Sequence, residues 1–222
     1  MTTFKTWIVP SLFALNASAF AMNVTTFDSF NHKSAFTIQH ITNNDTANLT
    51  TLTITKVKKP WYATKGLVVK KMKKSFPEYL AVQGLQQKYY SFTEDHHYFG
   101  GIYLWNSEQD SKNWFNQAWF DRTEKKYGVK GIVLSFQILH ITTMISPQNS
   151  EGDYFAILSH SPTSSIDWNN NSKGLIQVIE LKDANQKTCY LSLWETKQNG
   201  TSFCTSIFSE NEHYEAPLIL KL

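Results

Sequence analysis

Arginine is almost absent from this 222-residue sequence, in which Arg122 is the only one. Proteins that read nucleic acids rely on arginine for bidentate contacts with bases and phosphates, so the sequence argues against a nucleic-acid partner. Phosphate-binding glycine loops, GxSxG nucleophile motifs and CxxC pairs are also missing.

No apolar run reaches the ~20 residues that a membrane-spanning helix needs. The stretch Trp7–Leu15 follows a lone lysine and precedes small residues that end at Ala21. This pattern predicts a signal peptide over residues 1–21, cleavage after Ala21, and export of a periplasmic or secreted protein without a transmembrane anchor. The alternatives are a membrane anchor or a buried first helix.

Cysteine is also scarce, and both cysteines lie near the C-terminus. Cys189 and Cys204 flank a segment that reads as strand, turn and strand around Asn199-Gly200. In an oxidising compartment this hairpin predicts a disulfide between the two cysteines, provided that the loop is wider than a two-residue turn. Metal binding by the pair is not expected, because neither a CxxC motif nor a histidine pair completes a site.

The middle of the chain alternates between strand and helix patterns. After an Asn- and Thr-rich arm (22–48), residues 49–147 read β-α-β-β-α-β, with helices predicted over 63–80 and 108–127. This order predicts an α+β, ferredoxin-like domain with both helices on one face of a four-stranded sheet. Residues 148–222 contain further strand patterns without a helical period, which predicts a β-rich C-terminal region.

The segment HHYFGGIYLW (96–105) places two glycines inside a predicted strand. Phe99, Tyr103 and Trp105 lie on one side of this strand, and Ile102 and Leu104 lie on the other. Because both faces are apolar, we expect both to be covered: one by the helices, and the aromatic one by another sheet, from a partner subunit or from the C-terminal region. The glycines predict a bulge or a close approach by another group.

Several of these residues also carry a family resemblance that spans residues 51–143. The matching elements are Gly84-Leu85, Lys88-Tyr89-Tyr90, Gly100-Gly101-Ile102-Tyr103-Leu104-Trp105, Ser107, Trp119 and Tyr127-Gly128. In these the chain resembles the monooxygenase family of the dimeric α+β barrel superfamily, whose ferredoxin-like domains pair sheet to sheet. The resemblance implies a homodimer. A related branch carries His-x-x-Arg where this chain has Trp119-Phe120-Asp121-Arg122, so no role of that histidine transfers.

The resemblance implies an oxygenase that uses no cofactor, neither metal nor flavin, and acts on a small aromatic or enolic compound, and the predicted signal peptide makes it an exported one. Its pocket is expected on the open sheet face, where the substrate loses a proton and reacts directly with dioxygen. The catalytic candidates are Lys88, Tyr90, Tyr103 and His97, and the expected pocket residues are Tyr89, Phe99, Gly100, Gly101, Trp105 and Trp119. The alternative is a non-catalytic module that binds a small apolar ligand or a protein through the same face.

Two charged features allow a structural and a functional interpretation. His96-His97 next to Glu94 and Asp95 suggests a metal, but adjacent strand residues point to opposite faces, which favours solvated turn residues. The lysines between Lys56 and Lys74 form the densest charge cluster in the chain. They predict either a solvated face or a surface that holds an anionic membrane or an acidic partner.

Overall fold

The computed structural model describes residues 49–147, 149–168 and 172–222. The predicted signal peptide and the N-terminal arm lie outside the described residues, so both stay predictions. No helix within the described ranges is long and apolar enough to cross a membrane.

Strands and helices follow one another along the described chain as a mixed α/β arrangement. In order they are β1 (Thr51–Lys58), α1 (Lys65–Lys74), α2 (Phe76–Leu80), β2 (Leu85–Thr93), β3 (Tyr98–Trp105), α3 (Glu108–Trp114), α4 (Gln117–Tyr127), β4 (Ile132–Thr143), β5 (Glu151–Pro162), β6 (Leu175–Lys182), β7 (Thr188–Trp194), α5 (Lys197–Ile207) and β8 (Phe208–Lys221). The predicted strands over 85–93 and 98–105 are confirmed. The first half has the predicted β-α-β-β-α-β order, with each helix divided in two.

The division of the first predicted helix follows from its capping residues. The Thr64 side chain accepts a hydrogen bond from the backbone N–H of Leu67 at the start of α1. Ser75 ends α1, and Pro77 falls in the first turn of α2. Proline is tolerated there because the first-turn N–H groups have no partner within the helix. The break turns α2 so that Tyr79 packs against the sheet.

The eight strands close into one antiparallel barrel in the order β1-β3-β2-β8-β5-β7-β6-β4. Strands of the first half are ordered β4-β1-β3-β2 and those of the second half β8-β5-β7-β6. Both halves therefore have the same spatial order of strands: the fourth strand of the half lies beside the first, then come the third and the second. The halves join through the antiparallel pairs β2–β8 and β4–β6.

Side chains alternate between the inside of the barrel and an outer, helix-covered layer. The inside is filled by one apolar cluster drawn from both halves, including Ile102, Leu104 and Leu191. The C-terminal strands of this chain thus cover the open face of the first sheet. On the outside, α1 and α2 pack over β2 and β8, α3 and α4 over β1 and β3, and α5 over β5, β7 and β8.

The predicted hairpin between Cys189 and Cys204 is wrong, and the predicted disulfide is not formed. Residues 197–207 are helix α5, capped by Thr196, whose side chain accepts from the N–H of Asn199. Cys189 belongs to the cluster inside the barrel, whereas Cys204 belongs to α5 and packs against the outside of the barrel. Because β7 separates the two layers, both cysteines are buried free thiols.

Candidate active site

A cavity of about 330 Å³ lies between the outer face of the first sheet and the helices that cover it. Strands β1, β2 and β3 form its floor, and α1, α2 and α4 form its walls. Floor residues include Thr55, Val57, Lys88, Tyr90, Phe99, Gly100 and Tyr103, and wall residues include Val68, Met72, Tyr79, Trp119 and Thr123. The expectation that the aromatic face of β3 meets another sheet is wrong, because helices cover Phe99 and Tyr103 at this cavity. The face that the C-terminal strands cover is the filled interior of the barrel.

Lys88 is the most unusual residue at this cavity. It is only 2% exposed, and its Nζ lies 3.1 Å from the ring centroid of Tyr79, 3.8 Å from that of Tyr90 and 4.7 Å from that of Tyr103. Alternation along β2 turns Lys88 and Tyr90 towards the helices and Tyr89 towards the barrel interior. Lys88 Nζ forms no ion pair with any residue of the described ranges.

Burial controls the protonation of the amine and of the phenols around it. Burial lowers the pKa of the Lys88 amine well below its usual value, partly opposed by the charge of Glu78. Burial also raises the pKa of Tyr103 to about 12, although its hydrogen bonds to Tyr79 and Thr55 act to lower the pKa. The pKa of Tyr79 and that of Tyr90 are raised by burial as well. The site therefore favours a neutral amine that accepts protons beside phenols that keep theirs.

The tyrosines are fixed by contacts with helices α1 and α2. Tyr90 Oη lies 2.9 Å from Ser75 Oγ, and Ser75 Oγ donates to the carbonyl of Met72 at 2.7 Å. Since the single serine proton is used in the second bond, Tyr90 donates in the first. The Phe76 ring stacks on Tyr90 with a centroid distance of 5.4 Å, and Tyr79 meets Tyr90 edge-on at 5.8 Å.

The glycine pair on β3 has two different roles. A Cβ atom on Gly100 would lie 2.0 Å from the backbone carbonyl oxygen of Thr55, so β1 approaches too closely for any side chain. A Cβ atom on Gly101 would lie 2.9 Å from Lys88 Cε and 3.0 Å from the Tyr103 ring. Gly101 thus leaves the space that Lys88 and Tyr103 occupy.

The remaining predicted site residues lie in four different places. Trp119 lines the cavity from α4, while Trp105 is buried under α3 and α4, where its indole N–H donates to Thr53 Oγ1 at 2.9 Å. Tyr89 lies inside the barrel and donates to Gln177 Oε1 at 2.6 Å. The side chain of His97 is 78% exposed in the β2–β3 turn, 3.0 Å from Asp95, and does not line the cavity.

The sequence interpretation missed Tyr79 and Ser75. Phe76 and Tyr79 lie within the predicted helix over 63–80 and share the spacing of its apolar face. Their role at the cavity depends on the break at Ser75, which reorients α2 and brings Tyr79 over Lys88. In the described ranges no group of three or more His, Cys, Asp and Glu residues is placed to hold a metal ion.

The cavity opening is mainly basic. Lys71 of α1 and Arg122 and Lys126 of α4 line the cavity, with Glu78 of α2 as the acidic residue among its lining side chains. Arg122 Nη1 lies 3.9 Å from Glu78 Oε1, so this exposed pair links the two helical walls. Exposed pairs of this length contribute little to stability.

No protein-family model matches the chain, and no curated protein is significantly similar to it. Among solved structures, an "anthrone oxidase-like protein" superposes with a TM-score of 0.52 at 12% identity, over 80% of this chain and 94% of the other. The fold is monooxygenase-like. A "putative monooxygenase" from Fusobacterium nucleatum superposes with a TM-score of 0.52 at 11% identity, over 78% of this chain and 94% of the other. Another from Lactobacillus acidophilus superposes with a TM-score of 0.50 at 7% identity, over 78% of this chain and 99% of the other.

Proposed function

We propose that this chain is a cofactor-independent oxygenase acting on a small phenolic or enolic compound bound in the Lys88 cavity. One observation carries the proposal: Lys88 is a buried amine at the cavity floor, without an ion pair in the described chain. Enzymes desolvate lysines in this way to obtain a proton acceptor near neutral pH. The likeness in fold to an anthrone oxidase-like protein and to monooxygenases supports the same class.

In the proposed reaction, the Lys88 amine takes a proton from an activated CH₂ or hydroxyl group of the substrate. The carbanion transfers electrons to dioxygen and forms a new C–O bond. One oxygen atom stays in the product as a carbonyl and the other leaves as water, so that CH₂ and O₂ become C=O and H₂O. The protonated hydroxyls of Tyr79 and Tyr103 donate hydrogen bonds to the oxyanion that develops during the reaction, and Tyr90 exchanges its hydrogen bond to Ser75 for one to the same oxyanion.

Oxygen uptake tests this proposal, with anthrone as the first probe and EDTA present throughout. We expect the protein to accelerate oxygen consumption over buffer and to place one labelled oxygen atom from ¹⁸O₂ in the product. Lys88→Met should reduce the rate about a hundredfold or more, the usual contribution of a general base. The matched control is Lys187→Met, an exposed lysine in the β6–β7 turn. Anthrone binding without oxygen uptake would favour the non-catalytic module instead.

We also propose that the barrel is a single-chain version of the dimeric α+β barrel. The repeated strand order supports this, because each half has the order expected of a ferredoxin-like sheet. Strands β5–β8 then take the place of a partner subunit, and the homodimer implied by the family resemblance is not needed to close the barrel. Light scattering at several concentrations should give the monomer mass, whereas a stable dimer would contradict this proposal.

A further inference from the structure

Two aromatic side chains project into solvent from the turn between β1 and α1. Trp61 is 92% exposed and Tyr62 is 65% exposed, and their rings meet edge-on with centroids 5.8 Å apart. Exposed aromatic residues at one point of a surface indicate an interaction, because burying a tryptophan is among the largest hydrophobic gains a protein can make.

The same surface continues along helix α1 as a stripe of one apolar and three basic residues. Leu67, Lys70, Lys71 and Lys74 are exposed and follow the i, i+3, i+4, i+7 spacing of a single helix face. Val68 and Met72 occupy the opposite, buried side of the helix. The stripe is therefore not required for packing α1 on the sheet.

The charge of this surface is largely uncompensated. Lys65 and Lys73 pair with Glu215 and Glu151 of the second half. By contrast, Lys58, Lys70, Lys71 and Lys74 form no ion pair with any described residue, and α1 has no acidic residue in its first turn. We call the set Lys58, Trp61, Tyr62, Leu67, Lys70, Lys71 and Lys74 the basic aromatic face.

We propose that the basic aromatic face docks on the surface of an anionic lipid bilayer. Lysines near such a surface are attracted to acidic headgroups, and each adds to the affinity. Tryptophan and tyrosine prefer the boundary between headgroups and acyl chains, where the ring is buried and its polar atom stays hydrated. The combination of basic residues with exposed Trp61, Tyr62 and Leu67 fits this boundary better than an acidic protein surface does.

The position of this face also connects it to the cavity. Tyr62, Leu67 and Lys71 belong to the basic aromatic face and line the cavity as well. A chain docked through this face would hold the cavity next to the lipid, where apolar compounds concentrate. The docking proposal does not depend on catalysis, and it stands whether the cavity holds a substrate or an inert ligand.

Vesicle sedimentation of the full chain tests the proposal. We expect binding to vesicles containing phosphatidylglycerol, weakening as salt rises, and at least tenfold weaker binding to vesicles of pure phosphatidylcholine. Lys58→Gln, Lys70→Gln, Lys71→Gln and Lys74→Gln together should weaken binding about a hundredfold. The matched control replaces four exposed lysines elsewhere, Lys125, Lys173, Lys187 and Lys221, and should lose at most a small part of the affinity.

The fluorescence of Trp61 provides a second measurement, which binding through charge alone would not change. Its emission should shift to shorter wavelength on anionic vesicles, and the shift should be absent in Trp61→Phe although that variant still binds. Equal effects of the two lysine sets would overturn the proposal, as would absence of binding. A dimer in solution that Trp61→Ala with Tyr62→Ala dissociates would also overturn it, since this face would then be a self-interface.

Discussion

Lys88 Nζ lies 3.1 Å from the centre of the Tyr79 ring, inside a layer that also buries Tyr90 and Tyr103. A desolvated cation–π contact stabilises an ammonium by about 2 kcal/mol or more. Removing that ammonium from water costs several kcal/mol even after the protein relaxes. Desolvation is the larger of the two effects, so the ring contacts do not restore the usual basicity of Lys88.

The first prediction is that Lys88→Met stabilises the protein at neutral pH. The pKa of Lys88 is lowered in the folded state, whereas in the unfolded chain it has the usual value of about 10.4. At any pH between these two values, the amine is protonated in the unfolded chain but not in the folded one. Unfolding then takes up a proton, and stability rises with pH in this window by up to about 1.4 kcal/mol per pH unit. Methionine fills a similar volume without an amine, so it removes both the free-energy cost of deprotonating the buried amine and the rise of stability with pH.

Urea unfolding between pH 7 and about 9 measures this prediction. Tyrosines and cysteines of the unfolded chain also titrate towards the top of this range, but they are common to the parent and the variant and cancel in the difference between them. Lys88→Met should be more stable than the parent at pH 7, and the difference should shrink as the pH rises. Lys187→Met serves as the control and should keep the parental pH dependence. A parallel pair of stability curves for the parent and Lys88→Met would show that the amine is charged in the folded protein.

The second prediction separates the two glycines of β3. Gly100→Ala places a Cβ atom 2.0 Å from backbone, which cannot yield without parting β1 from β3. We expect it to cost about 3 kcal/mol or more, at the upper end for overpacking. Gly101→Ala meets the flexible end of Lys88 at 2.9 Å and should cost about 1 kcal/mol. In that variant the displaced amine should reduce oxygen uptake. Urea unfolding of both variants checks the order, and equal losses would contradict it.

Much of the site followed from alternation along β2 and β3. The family resemblance named Lys88, Tyr90 and Tyr103, and alternation along β3 put Phe99, Tyr103 and Trp105 on one sheet face, because residues two apart share a face. The sequence interpretation gave the helices to the wrong face of β3, since both faces are apolar and the cover of each depends on long-range pairing. The turn register also decided that Tyr90, rather than Tyr89, lies on the Tyr103 side.

The C-terminal half shows where local pattern loses to tertiary packing. The Asn199-Gly200 pair reads as a hairpin turn, yet Gly200 lies in the first turns of α5, where a Cβ atom would come within 2.8 Å of the Trp194 ring. The glycine serves close packing of a helix on β7 and not a reversal of the chain. That packing against a strand of the same half is invisible in the local sequence, whose composition is typical of a turn.

The third prediction concerns the cysteines. Burial raises the pKa of Cys189 to about 12 and also raises that of Cys204, so neither thiolate forms readily in the folded protein. We expect a thiol reagent to find two thiols in denatured protein prepared without reductant, and neither within minutes in the native state. Reductant should leave the melting temperature unchanged. If the denatured protein had fewer than two thiols, or if reductant lowered the melting temperature, the two cysteines would form a disulfide after all.

The last prediction uses neighbouring tyrosines on opposite faces of β2. Tyr89→Phe leaves the buried Gln177 acceptor without its 2.6 Å hydrogen bond, which should cost about 1–3 kcal/mol of stability. Oxygen uptake should stay unchanged, because Tyr89 faces the barrel interior.

Tyr90→Phe removes a hydroxyl beside the cavity, while Ser75 keeps its bond to Met72. The loss of stability should therefore be smaller than in Tyr89→Phe, and the rate of oxygen uptake should fall. Urea unfolding and oxygen uptake on both variants give a two-by-two comparison. A rate loss in Tyr89→Phe alone would place the chemistry inside the barrel and contradict the assignment of the cavity.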